Sequence, residues 1–530
     1  MTPTDEYGCS FLKPPANTRR ESSQLESMRR GWTYVLACLG YTAFWLVTRW
    51  PAIAANPLFF DDFALPATPA AFYIGSYRPF LWLEYRFWEL LIPGHFWTHV
   101  PKLAAAIYLG LFATALAALL RKWNVPPAIA FATPLVVLAN PVLNDAGLWN
   151  SLHALPLALA LITAAAVVWE REDASWRMWL GGAALLLCGI FGYQIFVSLA
   201  VVYLLAEPAV KTLTGVAWNW RASLRKLVAI AAVTFVQLVY MQLTRTADSD
   251  PRGLLHATSF RAYLLEKLHG LIDLAVNGVM PILAYAGGVR LAYRTWYYVP
   301  LVLGVLLAIA TWRRFGASRA LLYGAGPLAL FFAPSLPCLI SSADPYAWRV
   351  SSPVAVSLAL SLMMLLLVLA RDARAASAVL AVAAILVAPI GHYEASLRVI
   401  SVERDARLLR ELGNARAVSY VGPALGAAED ERLAGPHLLT WGYEVRTPAM
   451  WSGFSNAWTT AYFLRHVAPA VAYVDCSPAM QGRVCDDARS LCARSSPAAA
   501  RPLVAQGEGV VAVCAPDGRA NRRITTASSR

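Results

Sequence analysis

Long apolar stretches alternate with short basic clusters along the first three quarters of the chain. A membrane-spanning helix needs about 20 mainly apolar residues. The segments that come near this length are 33–49, 102–120, 126–141, 152–169, 227–243, 298–312, 320–340, 353–370 and 376–392. This pattern predicts a helical polytopic membrane protein.

Two further segments need separate interpretation. Residues 178–206 are apolar but are interrupted by Gly192-Tyr193-Gln194, which predicts two short helices that meet in a tight turn at the membrane face. Residues 271–286 are weakly apolar, and we interpret them as re-entrant or interfacial. The resulting prediction is about eleven transmembrane helices.

Composition supports this class. The chain has 530 residues, of which 58% are hydrophobic and only 15% are charged, whereas a soluble domain carries about 25% charged residues. The net charge of +13 does not indicate a nucleic-acid partner, because the basic residues form separate clusters and not the continuous surface that phosphate tracking requires.

The basic clusters set the expected orientation, because cytoplasmic loops retain Lys and Arg during insertion. We predict a multi-pass protein of the inner (cytoplasmic) membrane whose N-terminus is cytoplasmic. The predicted regions are a cytoplasmic segment 1–31, a transmembrane domain 32–392 with a large first outer loop 51–101, and a C-terminal extracytoplasmic domain 393–530.

The C-terminal region is charged and contains short apolar runs, which predict a small mixed α/β domain. It holds four of the eight cysteines: Cys476, Cys485, Cys492 and Cys514. In an oxidising compartment these predict two disulfides, with three possible pairings. A zinc site is the alternative, but the cysteines lack the closely spaced pair that is usual there.

The first outer loop carries two adjacent carboxylates, Asp61 and Asp62, among phenylalanines. Apolar neighbours at a membrane face disfavour the ionised form, so a carboxylate there is suited to act as a general base. The alternative is structural, with Asp62 capping a short interfacial helix. Arg78 follows in the same loop beside Pro79 and is suited to bind a lipid phosphate; the alternative is snorkelling toward the headgroups.

These features together resemble the GT-C superfamily of membrane glycosyltransferases. An Asp-Asp pair shortly after the first span is similar to the catalytic loop of that family. Arg78-Pro79-Phe80 resembles the Gly-Arg-Pro-Leu element of the O-antigen glucosyltransferase branch, with Tyr77 where glycine is usual, and Gly192-Tyr193-Gln194 resembles its Tyr-Gln signature. The resemblance covers residues 33–206.

The resemblance implies transfer of a hexose such as glucose from a polyprenyl-phosphate donor, on the outer face, to a cell-envelope glycan or lipid-linked acceptor. Asp61 is assigned as the base and Asp62 as a positioning group, with inversion at the anomeric carbon, while Arg78 stabilises the leaving phosphate. No cofactor or metal is required, although a divalent cation at Asp61 and Asp62 is left open.

Further outer-facing residues are weaker candidates. Arg349 is a second candidate for the donor phosphate. Candidates for substrate contact are Asp145, Asn150, His153, Tyr193 and Gln194, with a capped helix entry or a helix–helix contact as the alternative. The competing function is a transporter or flippase of lipid-linked sugars, which we disfavour because no internal repeat is evident and the ionisable residues concentrate at the outer face.

Overall fold

The computed structural model describes residues 16–56, 58, 62, 69–171, 175–244, 294–334, 348–370, 372–413, 415–421, 460–461, 463–465, 470–476, 482–495, 503–507 and 510–514. Within these ranges the chain is mostly helical. The helices are α1 Ala16–Ala55, α2 Pro69–Gly75, α3 Pro79–Leu91, α4 Val100–Lys122, α5 Pro127–Ala139, α6 Asn144–Leu148, α7 Leu155–Trp169, α8 Trp176–Gly192, α9 Val197–Leu213, α10 Trp220–Leu243, α11 Arg294–Phe315, α12 Ala317–Phe332, α13 Trp348–Leu369, α14 Ala373–Leu412 and α15 Arg483–Ser495.

In this described part, five helical stretches are long and apolar enough to cross a membrane: Val100–Lys122, Asn150–Trp169, Gln194–Leu213, Trp220–Leu243 and Ser352–Leu369. The chain is therefore compatible with a helical membrane protein. The predicted span 33–49 lies inside α1 and is not among these five, because its Tyr, Trp and Thr residues and Arg49 keep its hydropathy low. The predicted segment 271–286 lies outside the described residues.

The helical pair predicted for residues 178–206 is present. Helix α8 ends at Gly192, Tyr193 adopts an extended conformation, and a 3₁₀ turn Gln194–Phe196 leads into α9. The extended residue interrupts the helical hydrogen-bond series. The break between the two helices therefore lies where the sequence pattern placed it.

The end predicted for the second helix of this pair is wrong. Helix α9 continues past residue 206 to Leu213 and includes Glu207 and Lys211. Both side chains join a buried charge cluster, in which Lys211 and Lys226 each contact Glu170 and Glu207. Mutual neutralisation lets charged residues remain in the packed helix.

Helix α3 is amphipathic. It begins directly after Arg78 with Pro79 at its first position, where the fixed backbone of proline suits a helix start. One face buries Leu81, Glu84 and Tyr85. The other exposes the apolar side chains of Leu83, Phe87, Leu90 and Leu91.

Helices from distant parts of the sequence pack against one another. Helix α4 packs against α1, α5 and α7, and α14 packs against α5 and α1. Helix α14 is 40 residues long and continues past residue 392, the predicted boundary, to Leu412.

A four-stranded sheet follows α14. Its strands are β1 Ala417–Val421, β2 Ala472–Asp475, β3 Leu503–Gly507 and β4 Val510–Cys514, in the order β2-β1-β4-β3. Strand β1 runs parallel to β2 and β4, whereas β3 and β4 are antiparallel. The two predicted disulfides are formed, and their pairing is Cys476–Cys485 and Cys492–Cys514. They join α15 to β2 and to β4.

Candidate active site

Asp62 anchors the first outer loop to the start of a membrane-spanning segment. Its carboxylate is buried and accepts hydrogen bonds from the backbone amides of Asn150, at 3.2 Å, and Ser151, at 2.7 Å. These amides belong to the 3₁₀ turn Asn150–Leu152 that precedes α7, where unpaired backbone N–H groups favour an anion. Asp62 thus acts as a cap, but of a distant turn and not of its own helix.

Asn150 is the centre of the polar contacts around this turn. Its side-chain oxygen accepts a 2.6 Å hydrogen bond from the buried Lys102 Nζ, and its amide nitrogen donates to the carbonyl of Phe96 at 2.7 Å. Lys102 also donates to Asn56 Oδ1 at 2.5 Å. Because its side-chain polar atoms are engaged within the protein, the contacts of Asn150 fit the structural alternative for this residue.

His153 pairs with a carboxylate that the sequence did not single out. Its Nε2 lies 2.9 Å from Glu84 Oε2, and its Nδ1 donates to the carbonyl of Asn150 at 2.6 Å. The other oxygen of Glu84 accepts hydrogen bonds from Trp88 and Tyr108. The proton on Nδ1 fixes the orientation of the imidazole ring, and His153 and Glu84 form a close buried dyad suited to positioning.

Tyr73 lies beside this dyad and donates a 3.0 Å hydrogen bond to the carbonyl of Ser151. Burial raises the pKa of the Tyr73 phenol well above its ordinary value, and the charges of Glu84 and Asp62 add to the effect. Tyr73 therefore remains a neutral donor at physiological pH.

His95 approaches the dyad from the other side, with its ring centre 6.3 Å from that of His153. Burial, with a further contribution from His153, lowers the pKa of His95 below its ordinary 6.5, although Glu89 acts in the opposite direction. His95 is therefore neutral near pH 7.

The two motifs of the resemblance contact each other, although more than 100 residues separate them. Gln194 Nε2 donates to the carbonyls of Ser76 and Tyr77, at 3.1 and 2.7 Å. The guanidinium of Arg78 lies over the ring of Tyr193, 4.7 Å from its centre. The turn that ends α8 thus fixes both the backbone and the cation of the first-loop motif.

Backbone geometry explains two further positions of these motifs. Tyr77 has a positive φ of 59°, a conformation that favours glycine. This tyrosine occupies the position where the Gly-Arg-Pro-Leu element has glycine, so its backbone is strained. A side chain at Gly192 would place its Cβ 2.9 Å from Ala158 Cβ. The absence of a side chain there allows α8 to approach α7.

Three predicted site residues are not placed by these contacts. Asp61 lies outside the described residues, and for Asp145 and Arg349 only the helical backbone is described. Among the described residues no group of three His, Cys, Asp or Glu side chains could hold a metal ion. A cation site that includes Asp61 stays a prediction.

Glu84 and Lys102 belong to the site, but the sequence did not single them out. Glu84 lies in an aromatic segment, and Lys102 marks the start of a predicted span. For Lys102 the signal is a single charge at the start of an apolar helical stretch, since such a charge is expected to face a polar partner inside the protein. Glu84 shares its helix with Arg86 and Glu89, so its charge alone does not distinguish it.

The Gln194 contact gives a direct test. We expect Gln194→Glu to lower the free energy of unfolding by about 1–3 kcal/mol, because a carboxylate replaces the donor that serves two carbonyls. Thermal unfolding in detergent measures this change. The matched control is Gln506→Glu, since the Gln506 amide donates to an exposed backbone carbonyl; there we expect a change within about 0.5 kcal/mol. Equal effects for both variants would contradict the contact.

No protein-family model matches this chain, and no curated protein or solved structure matches it either. The assignment of a function therefore depends on the residues of this site and their geometry.

Proposed function

We propose that the chain is a membrane glycosyltransferase that uses a polyprenyl-phosphate sugar as donor and a cell-envelope glycan or lipid-linked glycan as acceptor. The observation that carries the proposal is the contact of Tyr193 and Gln194 with the turn that presents Arg78. Two short motifs of one enzyme class, far apart in sequence, support each other beside a buried aspartate anchor.

In the proposed reaction Asp61 removes the proton from an acceptor hydroxyl. The hydroxyl oxygen forms a bond to the anomeric carbon while the bond from that carbon to the donor phosphate oxygen breaks, with inversion of configuration. Polyprenyl phosphate leaves with the electron pair. Arg78 stabilises the charge that develops on it, and stacking on Tyr193 holds the guanidinium in place.

Asp62 has a different part in this proposal. Its carboxylate binds the amides of Asn150 and Ser151, which fixes the chain next to Asp61. Neighbouring side chains point in different directions in a helix or a strand. In the proposal the two carboxylates therefore have separate roles, with Asp62 as the anchor and Asp61 as the base.

The proposal includes the finer architecture. It has about eleven spans in a GT-C-like arrangement, within the inner membrane, with the N-terminus in the cytoplasm and the sheet-containing C-terminal region outside. The five apolar helices and the shorter ones, such as Pro127–Ala139 and Trp176–Gly192, are compatible with this arrangement.

Mass spectrometry of envelope glycans from cells with and without the gene tests the function. We expect the glycan from the deletion strain to lack one hexose per repeating unit, and the gene supplied in trans to restore it. An intact glycan would refute the transferase. Accumulation of a complete lipid-linked intermediate would instead support the flippase.

Arg78→Ala tests the donor site. We expect the KM for the donor to rise about 10- to 100-fold with little change in the KM for the acceptor, because a charge-assisted contact to the phosphate is lost. The matched control is Arg86→Ala, which removes an exposed arginine of α3, the helix that Arg78 precedes, and is expected to leave both constants unchanged. An unchanged donor KM in Arg78→Ala would remove Arg78 from the donor site.

A further inference from the structure

The C-terminal unit, defined here as β1–β4, α15 and the described residues 460–465, contacts the first outer loop. One of its apolar cores is built on the last turns of α14 and consists of Leu408, Leu412, Val418, Phe463, Leu464 and Val513. Leu58 and Trp97 of the first outer loop pack against this core. Asn56 donates to the carbonyl of Trp97 at 3.2 Å, which joins the two parts of the loop that make the contact.

Helix α14 also contacts the chain just before the loop begins. Arg49, at the outer end of the predicted first span, is fully buried and donates to Asn144 Oδ1 at 2.6 Å and to the carbonyl of Ala139 at 3.0 Å. Asn144 in turn donates to the carbonyl of Gly391 in α14 at 3.1 Å. A Cβ on Gly391 would lie 2.0 Å from Arg49 Nη2, so the guanidinium occupies the space beside this glycine.

The hydrogen-bonded contact at Arg49 and the apolar contact at Leu58 are only nine residues apart in the sequence. A buried guanidinium is costly to displace from its hydrogen bonds, and the contact at Leu58 is apolar. We infer that the C-terminal unit holds the first outer loop at Leu58 and Trp97, that α14 holds the chain before this loop at Arg49, and that the two contacts together keep the loop in place for its anchor at Asp62. The effect on catalysis rests on the proposed function, whereas the contact itself does not.

Thiol labelling measures the contact without an activity assay. The full-length Leu58→Cys variant in detergent is treated with a membrane-impermeant maleimide. The rate of labelling at position 58 is compared with the rate in the double variant Leu58→Cys/Phe463→Ala. We expect the second rate to be about tenfold higher, because the truncated side chain loosens the contact that covers position 58. The unsubstituted protein gives the background from its native thiols. Equal rates would overturn the inference.

Two controls separate loss of contact from loss of fold. Val484→Ala removes an exposed side chain from α15 and must leave the labelling rate unchanged. The four disulfide cysteines must stay unreactive in Phe463→Ala. If these cysteines react, Trp97→Ala is used in place of Phe463→Ala, since it loosens the contact from the loop side and leaves the C-terminal unit unaltered. An unchanged labelling rate at position 58 in the Trp97→Ala variant overturns the inference.

Gly391→Ala tests the second point. Its Cβ displaces the Arg49 guanidinium, and we expect the same labelling rate to rise. The control is Gly181→Ala in α8, where a Cβ meets nothing within 4 Å; there the rate is expected to stay the same. If both glycine variants give the same rate, the Arg49 contact does not hold the loop.

Transfer assays then connect the contact to catalysis. We expect Phe463→Ala to lower kcat and leave the donor KM unchanged, since the aspartates are misplaced while the donor site is intact. Absence of transfer in the unsubstituted protein would refute the proposed function, yet labelling would still decide whether the contact exists. A faster labelling rate with unchanged kcat would show that the contact has no role in positioning.

Discussion

Asp61→Asn is expected to reduce transfer about 10²- to 10⁴-fold while the protein still inserts and folds. An amide cannot accept the acceptor proton, and this range is typical for the loss of a general base. The described anchoring contacts of Asp62 are made to the backbone amides of Asn150 and Ser151, so the melting temperature of Asp61→Asn is expected to change little. The measurements are kcat with purified donor and acceptor, and thermal unfolding in detergent.

Asp62→Asn is the matched variant, and here the main expected effect is on stability and not on the chemical step. The asparagine has one side-chain oxygen for the two backbone amides of Asn150 and Ser151. Its NH₂ group would face the second amide, which is also a donor, so one hydrogen bond is lost. We expect about 2–4 kcal/mol lower stability, with activity that falls as the site loosens. If Asp61→Asn kept more than about a tenth of the wild-type kcat, the base would have to be sought elsewhere.

Glu207→Ala is expected to cost about 3–5 kcal/mol of stability, because the change leaves Lys211 and Lys226 buried with one carboxylate between them. In the intact cluster the side chains of Glu170, Glu207, Lys211 and Lys226 are between 2% and 13% exposed. Thermal unfolding in detergent gives the change. A matched control is Glu411→Ala, which breaks a pair of the same i,i+4 spacing with Arg407 whose side chains are 43% and 53% exposed; an exposed pair contributes about 0–1 kcal/mol.

The cluster also predicts a dependence on pH. Burial alone raises the pKa of Glu170, but Lys226 and Lys211 outweigh it and bring the pKa below its ordinary 4.5. A carboxyl with a lowered pKa stabilises the fold fully above its ordinary value, and this stabilisation is lost as the pH falls below it. The melting temperature should therefore decline below about pH 4.5, and less so in Glu170→Gln. Equal declines would contradict the ion pairs.

Much of the helical pattern follows from the sequence, but the helix ends do not. The break at Tyr193 was predictable because glycine and polar residues interrupt an apolar run. The continuation of α9 to Leu213 was not, since Glu207 and Lys211 look like loop residues until their partners on other helices are known. A hydropathy profile counts every charged residue as unfavourable in a span, whereas in the fold these charges neutralise one another through ion pairs.

In the site, too, some residues were predictable from the sequence and others were not. Arg78, Tyr193 and Gln194 could each be named from short motifs, and the structure brings them into contact. The roles of Lys102 and Glu84 depend on partners 48 and 69 positions away in sequence. Arg49 looked like the end of a span, and only the packing of α14 reveals that Gly391 makes room for its side chain.

Helix α3 has a consequence for how a substrate reaches the site. Its exposed apolar face of Leu83, Phe87, Leu90 and Leu91 is suited to lie along the lipid surface, and Arg78 immediately precedes its first turn. A phospholipid-like donor would then meet the guanidinium at headgroup depth, by lateral diffusion within its own leaflet. Encounter would depend on the surface density of that lipid, so diluting it with inert lipid should slow the reaction even at constant bulk concentration.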